Sequence, residues 1–300
     1  MNNDNSLFKT ILFIAIILFI SCAKTIVNDQ GTTKYFFGTD ASLDIVTWNI
    51  EYFPKNNKTI EYVSDIINSL GADIIGLQEI TDTDSFIELI DSLDPGWVGF
   101  RSGNSAYGEL SFLINSNEVD IVTEPYSILK SEEYYFAFRE PLVIDINYRG
   151  DNYSIINVHY KCCGNGLIGS NENDEEYRRE KASEYLADYI SDHFEDEKLL
   201  VIGDFNDQIT DSYNNNVFKV FINSPDDYYF ADTNIENGGS ESWSYPGWPS
   251  HLDHILINSK IFSSRYETET IKIESTLSGG WNEYDDYISD HRPVGIKIFD

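Results

Sequence analysis

Polar and ionisable residues terminate or interrupt six apolar, strand-like runs in this 300-residue sequence. Strand interiors are mostly apolar, so carboxylate, amide and imidazole groups at such positions are candidates for chemistry. These residues are Asn49, Gln78 and Glu79, His159, Asp204 and Asn206, Asp253, and Asp290 and His291. A single aspartate at a strand end is usually a turn residue, but turns do not readily explain six such ends in one chain.

The polar residues at these strand ends offer two kinds of chemistry. Hard oxygen ligands for Mg²⁺ or Mn²⁺ are available from Glu79, Asp290, Asp204 and Asn49. The imidazoles of His159 and His291 can transfer a proton or stabilise a negatively charged oxygen. Asp204 and Asn206 lie two residues apart, so an extended chain would direct both side chains to one face. Together these groups suit metal-assisted hydrolysis of a phosphate ester.

Strands that alternate with helices must position these residues. β-branched and aromatic content predicts strands at Leu43–Tyr52, Asp73–Ile80, Glu109–Asn115, Pro141–Tyr148, Tyr153–Tyr160, Leu199–Gly203, Leu252–Asn258 and Val294–Phe299. Apolar residues at helical spacing predict helices at Thr59–Leu70, Ser85–Leu93 and Asp174–Phe194. Because the strands pair both through hairpins and through helices, and no glycine-rich phosphate loop occurs, we expect an α/β fold. Two sheets would pack face to face and be covered by helices.

The charge of the chain is strongly one-sided. It has 51 Asp and Glu residues against 20 Lys and Arg residues, which gives a formal net charge of −31. Nucleic-acid binding normally draws on Lys and Arg side chains that neutralise phosphates, so a basic groove of that kind is excluded. A phosphate-bearing substrate would need a metal ion or a few local cations. The hydrophobic share of 41% suffices for a large core, which excludes disorder over most of the chain.

The N-terminal segment carries an unbroken apolar run at Ile11–Ile20. It is too short for a membrane-spanning helix, which needs about 20 residues, and is typical of a signal peptide. Because Ser21 and Cys22 follow, we expect residues 1–21 to be a lipoprotein-type signal peptide. Cys22 would be the lipidated anchor to a bacterial membrane, at the outer membrane or cell surface, and residues 22–42 a tether. Ordinary secretion and an uncleaved anchor are the alternatives. A Cys22→Ser variant that stayed in the membrane fraction would contradict the lipoprotein prediction.

Six sequence segments resemble a known superfamily. They read TWNIEYF, IIGLQEI, NVHYK, VIGDFND, LDHILI and SDHRPVGI. They occur in the order and approximate spacing of the endonuclease/exonuclease/phosphatase superfamily, and residues 43–300 are similar to pancreatic-type deoxyribonucleases. The resemblance implies one domain over residues 43–300 with a four-layer α/β sandwich, in which two packed mixed β-sheets are flanked by helices.

The resemblance also implies roles for the site residues. The metal pocket would be formed by Asn49, Glu79 and Asp290, with Mg²⁺ as the expected ion and Mn²⁺ or Ca²⁺ as possible substitutes. The catalytic set would be His159, Asp204, Asn206, Asp253 and His291. Within it, Asp204 would orient or deprotonate the attacking water. His291, held by Asp253, would contact the phosphate, and His159 would be the second imidazole of the site.

One further segment, FREP at residues 138–141, is similar to a segment of secreted deoxyribonucleases in which the arginine reaches a phosphate. By this resemblance Arg139 would bind the substrate and supply the local positive charge that a phosphate needs. A structural ion pair with a neighbouring acid is the alternative interpretation.

Several residues remain ambiguous in the sequence. His254 should point away from Asp253 and pack in the interior, whereas His251 could line the substrate cleft. The aromatic segment SWSYPGWPS at residues 242–250 could stack on a base or anchor a loop. Cys162 and Cys163 could form a vicinal disulfide, remain as two buried free thiols, or bind a soft metal.

Three functions are compatible with these observations. The first is a cell-surface or secreted divalent-metal-dependent nuclease that cleaves DNA or RNA. The second is a phosphodiesterase or phosphatase for small or lipid phosphate esters, which the acidic composition favours because no long polyanion need approach. The third, a non-catalytic binding module, has least support because no expected catalytic position is replaced. No protein partner is inferred.

Overall fold

The computed structural model describes residues 35–103 and 108–299, which form two β-sheets and their flanking helices. The strands are β1 (Ser42–Phe53), β2 (Ile74–Ile80), β3 (Trp97–Arg101), β4 (Glu109–Asn115), β5 (Asp120–Ser127), β6 (Leu142–Tyr148), β7 (Asp151–His159), β8 (Lys198–Asp204), β9 (Tyr228–Phe230), β10 (Asp253–Asn258), β11 (Arg265–Thr270) and β12 (Val294–Phe299). The α-helices are α1 (Thr59–Leu70), α2 (Thr83–Asp91), α3 (Glu175–His193), α4 (Lys219–Ile222), α5 (Thr233–Glu236) and α6 (Gly280–Tyr287).

The expected signal peptide, Cys22 and residues 22–34 of the expected tether lie outside the described residues. Across the described ranges, the helices are too short or too polar to cross a membrane.

Both sheets have a mixed topology built around one parallel pair. The first sheet has the order β11-β12-β1-β2-β4-β3, and β1 and β2 are parallel. The second has the order β5-β6-β7-β8-β10-β9, and β7 and β8 are parallel. In each case a helix, α1 or α3, lies between the two parallel strands in the chain, as a parallel crossover requires.

Three apolar clusters separate four layers of secondary structure. The cluster between the two sheets includes Ile45, Phe112, Ile155, Ile202 and Ile255. A second cluster packs the first sheet against α1, α2 and α6 and includes Trp48, Val63, Ile67, Phe86 and Tyr284. A third packs the second sheet against α3 and α4 and includes Val158, Leu186, Ile190, Val201 and Phe221. The α/β sandwich with two packed mixed sheets and flanking helices, expected from the sequence, is therefore confirmed.

Strand pleating places the polar strand ends in the space between the sheets. Along β1, Ile45 lies in the inter-sheet core and Asn49, four residues further on, is on the same face of the strand. The same interval separates Ile155 from His159, Leu200 from Asp204, and Ile257 from Asp253. The inter-sheet space thus changes from apolar to polar toward one end.

A buried amide pair joins the two sheets where the apolar core gives way to the polar end. The Nε2 group of Gln78, in the first sheet, donates to Oδ1 of Asn157 in the second at 2.8 Å and to Oγ1 of Thr47 at 3.1 Å. In return, Nδ2 of Asn157 donates to the carbonyl oxygens of Leu77 and Ser111, both at 3.0 Å. All of these hydrogen bonds except that to Thr47 cross between the sheets, and they therefore fix one sheet relative to the other.

The folded unit starts before β1. The side chain of Phe37 is 4% exposed, and the backbone N–H groups of Phe37 and Gly38 donate to the carbonyl of Leu70 at the end of α1. Gly71 ends that helix in a left-handed conformation with φ +71°, which a glycine adopts without strain. Residues 35–41 of the expected tether consequently pack on the domain.

Several strands carry little sequence signal because they lie at sheet edges. β11 (RYETET) and β5 (DIVTEPYS) are edge strands with many exposed residues, and Pro125 interrupts the second. Charged residues and proline are common in edge strands, and they hide the alternation of apolar residues on which strand prediction depends.

A buried His–Asp–His cluster supports the strand that carries Asp253. Oδ2 of Asp232 lies 2.6 Å from Nδ1 of His254 and 3.0 Å from Nε2 of His251. The other ring nitrogen of His254 donates to the carbonyl of Asp207 at 2.9 Å. Since both nitrogens of His254 face acceptors, this ring is an imidazolium paired with the Asp232 carboxylate. The expected packing role of His254 is confirmed, but the placement of His251 in the substrate cleft is wrong, because its side chain is 0% exposed.

The pKa values in this cluster reflect the ion pair. Burial alone would lower the pKa of His254, but the Asp232 carboxylate outweighs burial and raises it to about 9. Burial alone would raise the pKa of Asp232, but the charged His254 and hydrogen bonds from both histidines hold it well below its usual range. The stabilisation due to His254 is therefore complete below the ordinary histidine pKa and is lost as the pH rises through about 9.

Asp232→Asn should lower the free energy of unfolding by about 3 to 5 kcal/mol at neutral pH, because it leaves a buried imidazolium without its anion. Urea unfolding followed by circular dichroism measures the change, with Asp226→Asn on the exposed surface as the control. As the pH rises from about 6 to about 10, the wild type should lose this extra stability whereas Asp232→Asn should not. Equal unfolding free energies for the two variants at neutral pH would contradict the ion-pair interpretation.

Candidate active site

The polar ends of the strands border a cleft of about 620 Å³ at one end of the inter-sheet space. His159, Asp204 and Asp253 form one row across the second sheet, because Asp204 pairs in register with His159 of β7 and with Asp253 of β10. Adjacent strands lie about 4.8 Å apart, so the sheet itself sets the spacing of the three side chains. Asn49 reaches the same row from β1 in the opposite sheet, through its bond to Asp204.

Glu79 enters the cleft through a local irregularity of β2. Strand pairing shifts register between Leu77 and Ile80, and Glu79 has a left-handed backbone with φ +66°. A side chain on Gly108 would lie 2.9 Å from Cα of Glu79, so the absence of a Cβ there permits the close approach of the two chains. Oε2 of Glu79 accepts from the N–H of Tyr52 at 2.9 Å, and Oε1 accepts from Nδ2 of Asn49 at 3.3 Å.

Asp204 lies at the centre of the hydrogen-bond network and is 1% exposed. Its Oδ2 accepts from Nδ2 of Asn49 at 3.0 Å and lies 3.4 Å from Nε2 of His159. Burial raises the pKa of Asp204 to about 7, with the charge of His291 opposing this shift and that of Asp253 adding to it. A carboxyl group with such a pKa can accept a proton from a water molecule near neutral pH.

The geometry expected for Asp204 and Asn206 needs correction. The two side chains do not project from one extended strand, because β8 ends at Asp204 and Asn206 has a φ of +53°. A tight turn brings them together instead, as the N–H of Asn206 donates to Oδ1 of Asp204 at 2.9 Å. Nδ2 of Asn206 donates to the carbonyl of Tyr160 at 3.3 Å, and the residue lines the cleft.

His291 and Asp253 form a short, buried hydrogen bond of 2.7 Å between Nδ1 and Oδ2. Nε2 of His291 is directed toward the cleft and lies 3.9 Å from Oδ2 of Asp204. Burial alone would lower the pKa of His291, but the carboxylates of Asp253 and Asp204 outweigh burial and raise it to about 10. The ring is therefore an imidazolium that faces the substrate space.

His159 has the opposite charge state. Burial lowers the pKa of this imidazole well below its usual value, and the positive charges of Arg139 and His291 lower it further. The neutral ring lies between Asp204 and Glu79, with Nε2 at 3.4 Å and 3.9 Å from their nearest oxygens. The site thus contains one charged and one neutral imidazole, so the two histidines are suited to different tasks.

Glu51, Glu79 and Asp290 are three of the carboxyl residues that line the cleft. Burial raises the pKa of Glu51, and the nearby Asp290 adds to the shift although Lys55 opposes it. Burial also raises the pKa of Asp290, an effect that Glu79 increases and His291 opposes. A divalent cation would relieve this mutual repulsion, and carboxylate and amide oxygens are the ligands that Mg²⁺ prefers.

Arg139 lies behind the cleft. Its side chain is 9% exposed, and Nη2 donates to the carbonyl of Tyr160 at 2.9 Å. Burial lowers the pKa of this guanidinium while the carboxylates of Glu79 and Asp204 raise it, so it places positive charge next to both acids from a buried position. Its contact with a phosphate stays a prediction.

The Endonuclease/Exonuclease/phosphatase family model matches residues 46–291, which is most of the chain. The chain belongs to the endonuclease/exonuclease/phosphatase family. Its predicted site residues fall within the matched range, and enzymes of this family generally hydrolyse phosphoester bonds. Among curated protein sequences, none matches the chain significantly.

Solved structures with the same fold come from animals and bacteria. TDP2 of D. rerio, solved with a single-strand DNA product, superposes with a TM-score of 0.62 at 14% identity, over 86% of this chain and 99% of that one. The catalytic domain of human Nocturnin, with a bound sulfate anion, gives 0.58 at 15% identity, over 86% and 94%. A family protein of Bacteroides thetaiotaomicron gives 0.58 at 14% identity, over 86% and 95%. At these identities the likeness shows the fold.

The cleft of this family member contains residues that sequence analysis did not assign. Glu51 accepts a hydrogen bond from the N–H of Asp290 at 2.9 Å and pairs with Lys55. Arg179 donates to Asp207 at 2.8 Å and lines the cleft from α3. Glu51 and Asp207 belong to the family-like segments TWNIEYF and VIGDFND, which was the available signal; nothing in the sequence near Arg179 indicated its position.

The aromatic loop is anchored to the domain and also lines the cleft, whereas its stacking on a base stays a prediction. Nε1 of Trp243 donates to the carbonyl of Glu236 at 3.1 Å, which anchors the loop. Tyr245 and Trp248 line the cleft. The ring of Tyr245 contacts His291 with 4.8 Å between centroids, and Trp248 is 78% exposed.

The two adjacent cysteines are free thiols in this structure. Cys162 and Cys163 are exposed, so the alternative of buried thiols is wrong, and the expected vicinal disulfide is not formed. Both residues line the mouth of the cleft.

His291→Ala should lower kcat by about 10²- to 10⁴-fold with a smaller effect on KM, because the imidazolium acts on the charge that develops during the reaction. Because Asp253 acts through His291, the double variant His291→Ala/Asp253→Ala should be little slower than His291→Ala alone. Steady-state kinetics on the wild type, His291→Ala, Asp253→Ala and the double variant measure both effects. His193→Ala, at the exposed end of α3, is the control. Losses in kcat that simply multiply would show that the two residues act independently.

Proposed function

We propose that the protein is a divalent-metal-dependent phosphodiester hydrolase that cleaves nucleic acid. The observation that carries this proposal is the row of His159, Asp204 and Asp253, with His291 bound to Asp253 and the carboxyl groups of Glu79 and Asp290 beside it. This arrangement combines an acceptor for a proton, a donor for a negatively charged oxygen and a set of hard ligands.

The charge state of each side chain determines its proposed role. Asp204, whose pKa burial raises to about 7, orients the attacking water and takes its proton. The imidazolium of His291 faces the phosphoryl group and stabilises the negative charge that grows on its oxygens. Asp253 keeps that ring charged and oriented. Neutral His159 donates or accepts a hydrogen bond without adding charge.

We assign the remaining hard ligands to a metal ion. Glu79 and Asp290 would hold it, with the amide oxygen of Asn49 as a further ligand. When bound, such an ion supplies Lewis acidity at the phosphate and offsets negative charge. The described lining of the cleft has seven carboxyl groups and one lysine or arginine, Arg179, which is itself paired with Asp207. A phosphate would therefore meet strong repulsion without a cation.

Aromatic side chains at the rim favour a nucleic acid as the substrate. Tyr52 and Trp248 are 66% and 78% exposed and border the cleft together with Tyr245. Bases stack on such rings with about 1 to 3 kcal/mol per base and with little sequence preference. TDP2 of D. rerio, which shares the fold, was solved with a single-strand DNA product, which supports a single strand as the first substrate to test.

A small or lipid phosphate ester is the second candidate. The net charge of −31 and the acidic lining of the cleft favour it, because few cations are available to contact successive phosphates of a long strand. An aromatic or apolar group of such an ester could occupy the same rim.

A substrate panel with Mg²⁺ tests the proposal and separates the two candidates. Single-stranded DNA, duplex DNA, RNA, bis-p-nitrophenyl phosphate and sphingomyelin would be compared at several salt concentrations. We expect cleavage of a nucleic acid, with kcat/KM falling as salt increases because cation–phosphate contacts are screened. Preferential hydrolysis of a small ester, independent of salt, would select the second candidate. Absence of hydrolysis with every substrate and metal would refute the proposed function.

Glu79→Gln should raise the Mg²⁺ concentration needed for half-maximal activity at least about 10-fold, because a neutral amide replaces a charged hard ligand. Activity measured across a Mg²⁺ titration checks this, and Glu124→Gln on the exposed edge strand β5 is the control. Recovery of activity at high Mg²⁺ supports the ligand role. An unchanged Mg²⁺ optimum together with full activity would exclude it.

A further inference from the structure

Two adjacent thiols at the mouth of the cleft have no part in the proposed hydrolysis. Sγ of Cys162 and Sγ of Cys163 are 2.9 Å apart, and both residues are exposed. A disulfide bond needs about 2.05 Å between the sulfur atoms, so the two sulfur atoms must come about 0.9 Å closer, and the backbone between them must adjust.

We propose that Cys162 and Cys163 form a modification site at which a low-molecular-weight disulfide oxidises the pair to an intramolecular disulfide and thereby slows turnover in the cleft. The effect on turnover rests on the proposed function, whereas the thiol chemistry does not.

The surroundings distinguish the two thiols. Sγ of Cys162 accepts hydrogen bonds from Nζ of Lys161 at 3.5 Å and from Sγ of Cys163 at 2.9 Å. The hydrogen bond between the thiols and partial burial raise the pKa of Cys163. Cys162 is accordingly the attacking thiol and Cys163 the resolving thiol.

The exchange proceeds in two balanced steps. The thiolate of Cys162 attacks one sulfur of the small disulfide, so a protein–small-molecule S–S bond forms, the original S–S bond breaks, and one small thiol leaves. Cys163 then loses its proton and attacks Sγ of Cys162, which releases the second small thiol. The pair of protein thiols loses two electrons, and the small disulfide gains them.

The new bond would be strained and easily reduced. Adjacent Cα atoms are about 3.8 Å apart across a trans peptide, whereas disulfides usually join Cα atoms about 4.4 to 6.8 Å apart. Strained, exposed disulfides are the labile and regulatory kind. Ring closure must therefore turn the peptide group between the two cysteines, whose carbonyl belongs to Cys162, and shift the Lys161 and Cys163 carbonyls on either side of it.

One guanidinium connects the two flanking carbonyls to the turn that carries Asp204. Nη1 of Arg179 donates to the carbonyl oxygens of Cys163 at 2.8 Å and Lys161 at 2.7 Å. Nε of the same side chain donates to Oδ2 of Asp207 at 2.8 Å. Asp207 follows Asp204 by three residues, so a shift of the Lys161 or Cys163 carbonyl would be transmitted through Arg179 to the turn that carries the proposed general base.

Peptide mapping tests the thiol chemistry independently of activity. Trypsin cleavage after Lys161 and Arg178 gives the peptide 162–178, which contains both cysteines and separates them from Cys22. After treatment of the full chain with glutathione disulfide, this peptide should resist alkylation by iodoacetamide until dithiothreitol is added. Full alkylation without reduction would overturn the proposal.

Single variants test the order of attack. Cys163→Ser should retain a glutathione adduct on Cys162, because the resolving thiol is missing. Cys162→Ser should form its adduct more slowly, because the pKa of Cys163 is raised. Equal rates for the two variants would refute the assignment of Cys162 as the attacking thiol.

Two measurements test whether oxidation of the cysteine pair affects the cleft: kcat/KM and amide hydrogen exchange. Oxidation should lower kcat/KM about 10-fold, since a displacement of about 1 Å at a catalytic group can cost up to about 10²-fold, and dithiothreitol should restore it. Amide hydrogen exchange in residues 204–208 should become faster on oxidation. In Cys162→Ser/Cys163→Ser, glutathione disulfide should change neither quantity. If oxidation of the wild type left hydrogen exchange in this segment unchanged, the coupling would be overturned. This readout does not require that the reduced protein hydrolyses a phosphodiester.

Discussion

The amide contact between Gln78 and Asn157 fixes the position of one β-sheet on the other, and the active-site geometry depends on that position. Apolar side chains alone tolerate sliding, because dispersion contacts have no strong directional preference. Hydrogen bonds between buried amides do have one, and a mismatched pair would leave polar groups unsatisfied at a cost of about 1 to 3 kcal/mol each. Asn49 of the first sheet can therefore meet Asp204 of the second at 3.0 Å. A small slip between the sheets would separate them.

The second constraint is electrostatic. A cleft with so many carboxyl groups would be unstable if all were charged and uncompensated. The structure reduces this cost by raising carboxyl pKa values at Asp204, Asp290 and Glu51 and by keeping His291 protonated. The same features give the site an acceptor for a proton and a positive charge that faces the substrate. The pKa shifts that reduce repulsion between the carboxyl groups therefore also prepare these groups for proton transfer.

Sequence reasoning reached the parts of the site that regular strands position. Asn49, His159 and Asp253 follow from the two-residue period of a strand once the apolar residues before or after them are assigned to the core. The positions of Glu79 and Asn206 depend on left-handed backbone conformations, which residue type alone does not reveal.

Other misses result from tertiary packing. His251 lies on the same side of an extended chain as Asp253, but its ring turns to Asp232 in the interior. Arg179 joins the cleft only through tertiary packing of α3, and the edge strands β5 and β11 lack the apolar alternation that strand prediction uses.

The row of His159, Asp204 and Asp253 lies on three hydrogen-bonded strands, whereas Trp248 and the cysteine pair belong to connecting segments. Under the proposed function, chemistry and substrate choice are thus encoded in separable parts of the chain. Loops tolerate substitution and changes of length far better than the strands that they connect. The segment between Trp243 and Ser250 could therefore be replaced while His159, Asp204 and Asp253 kept their places, which makes this scaffold suited to laboratory evolution of the cleft.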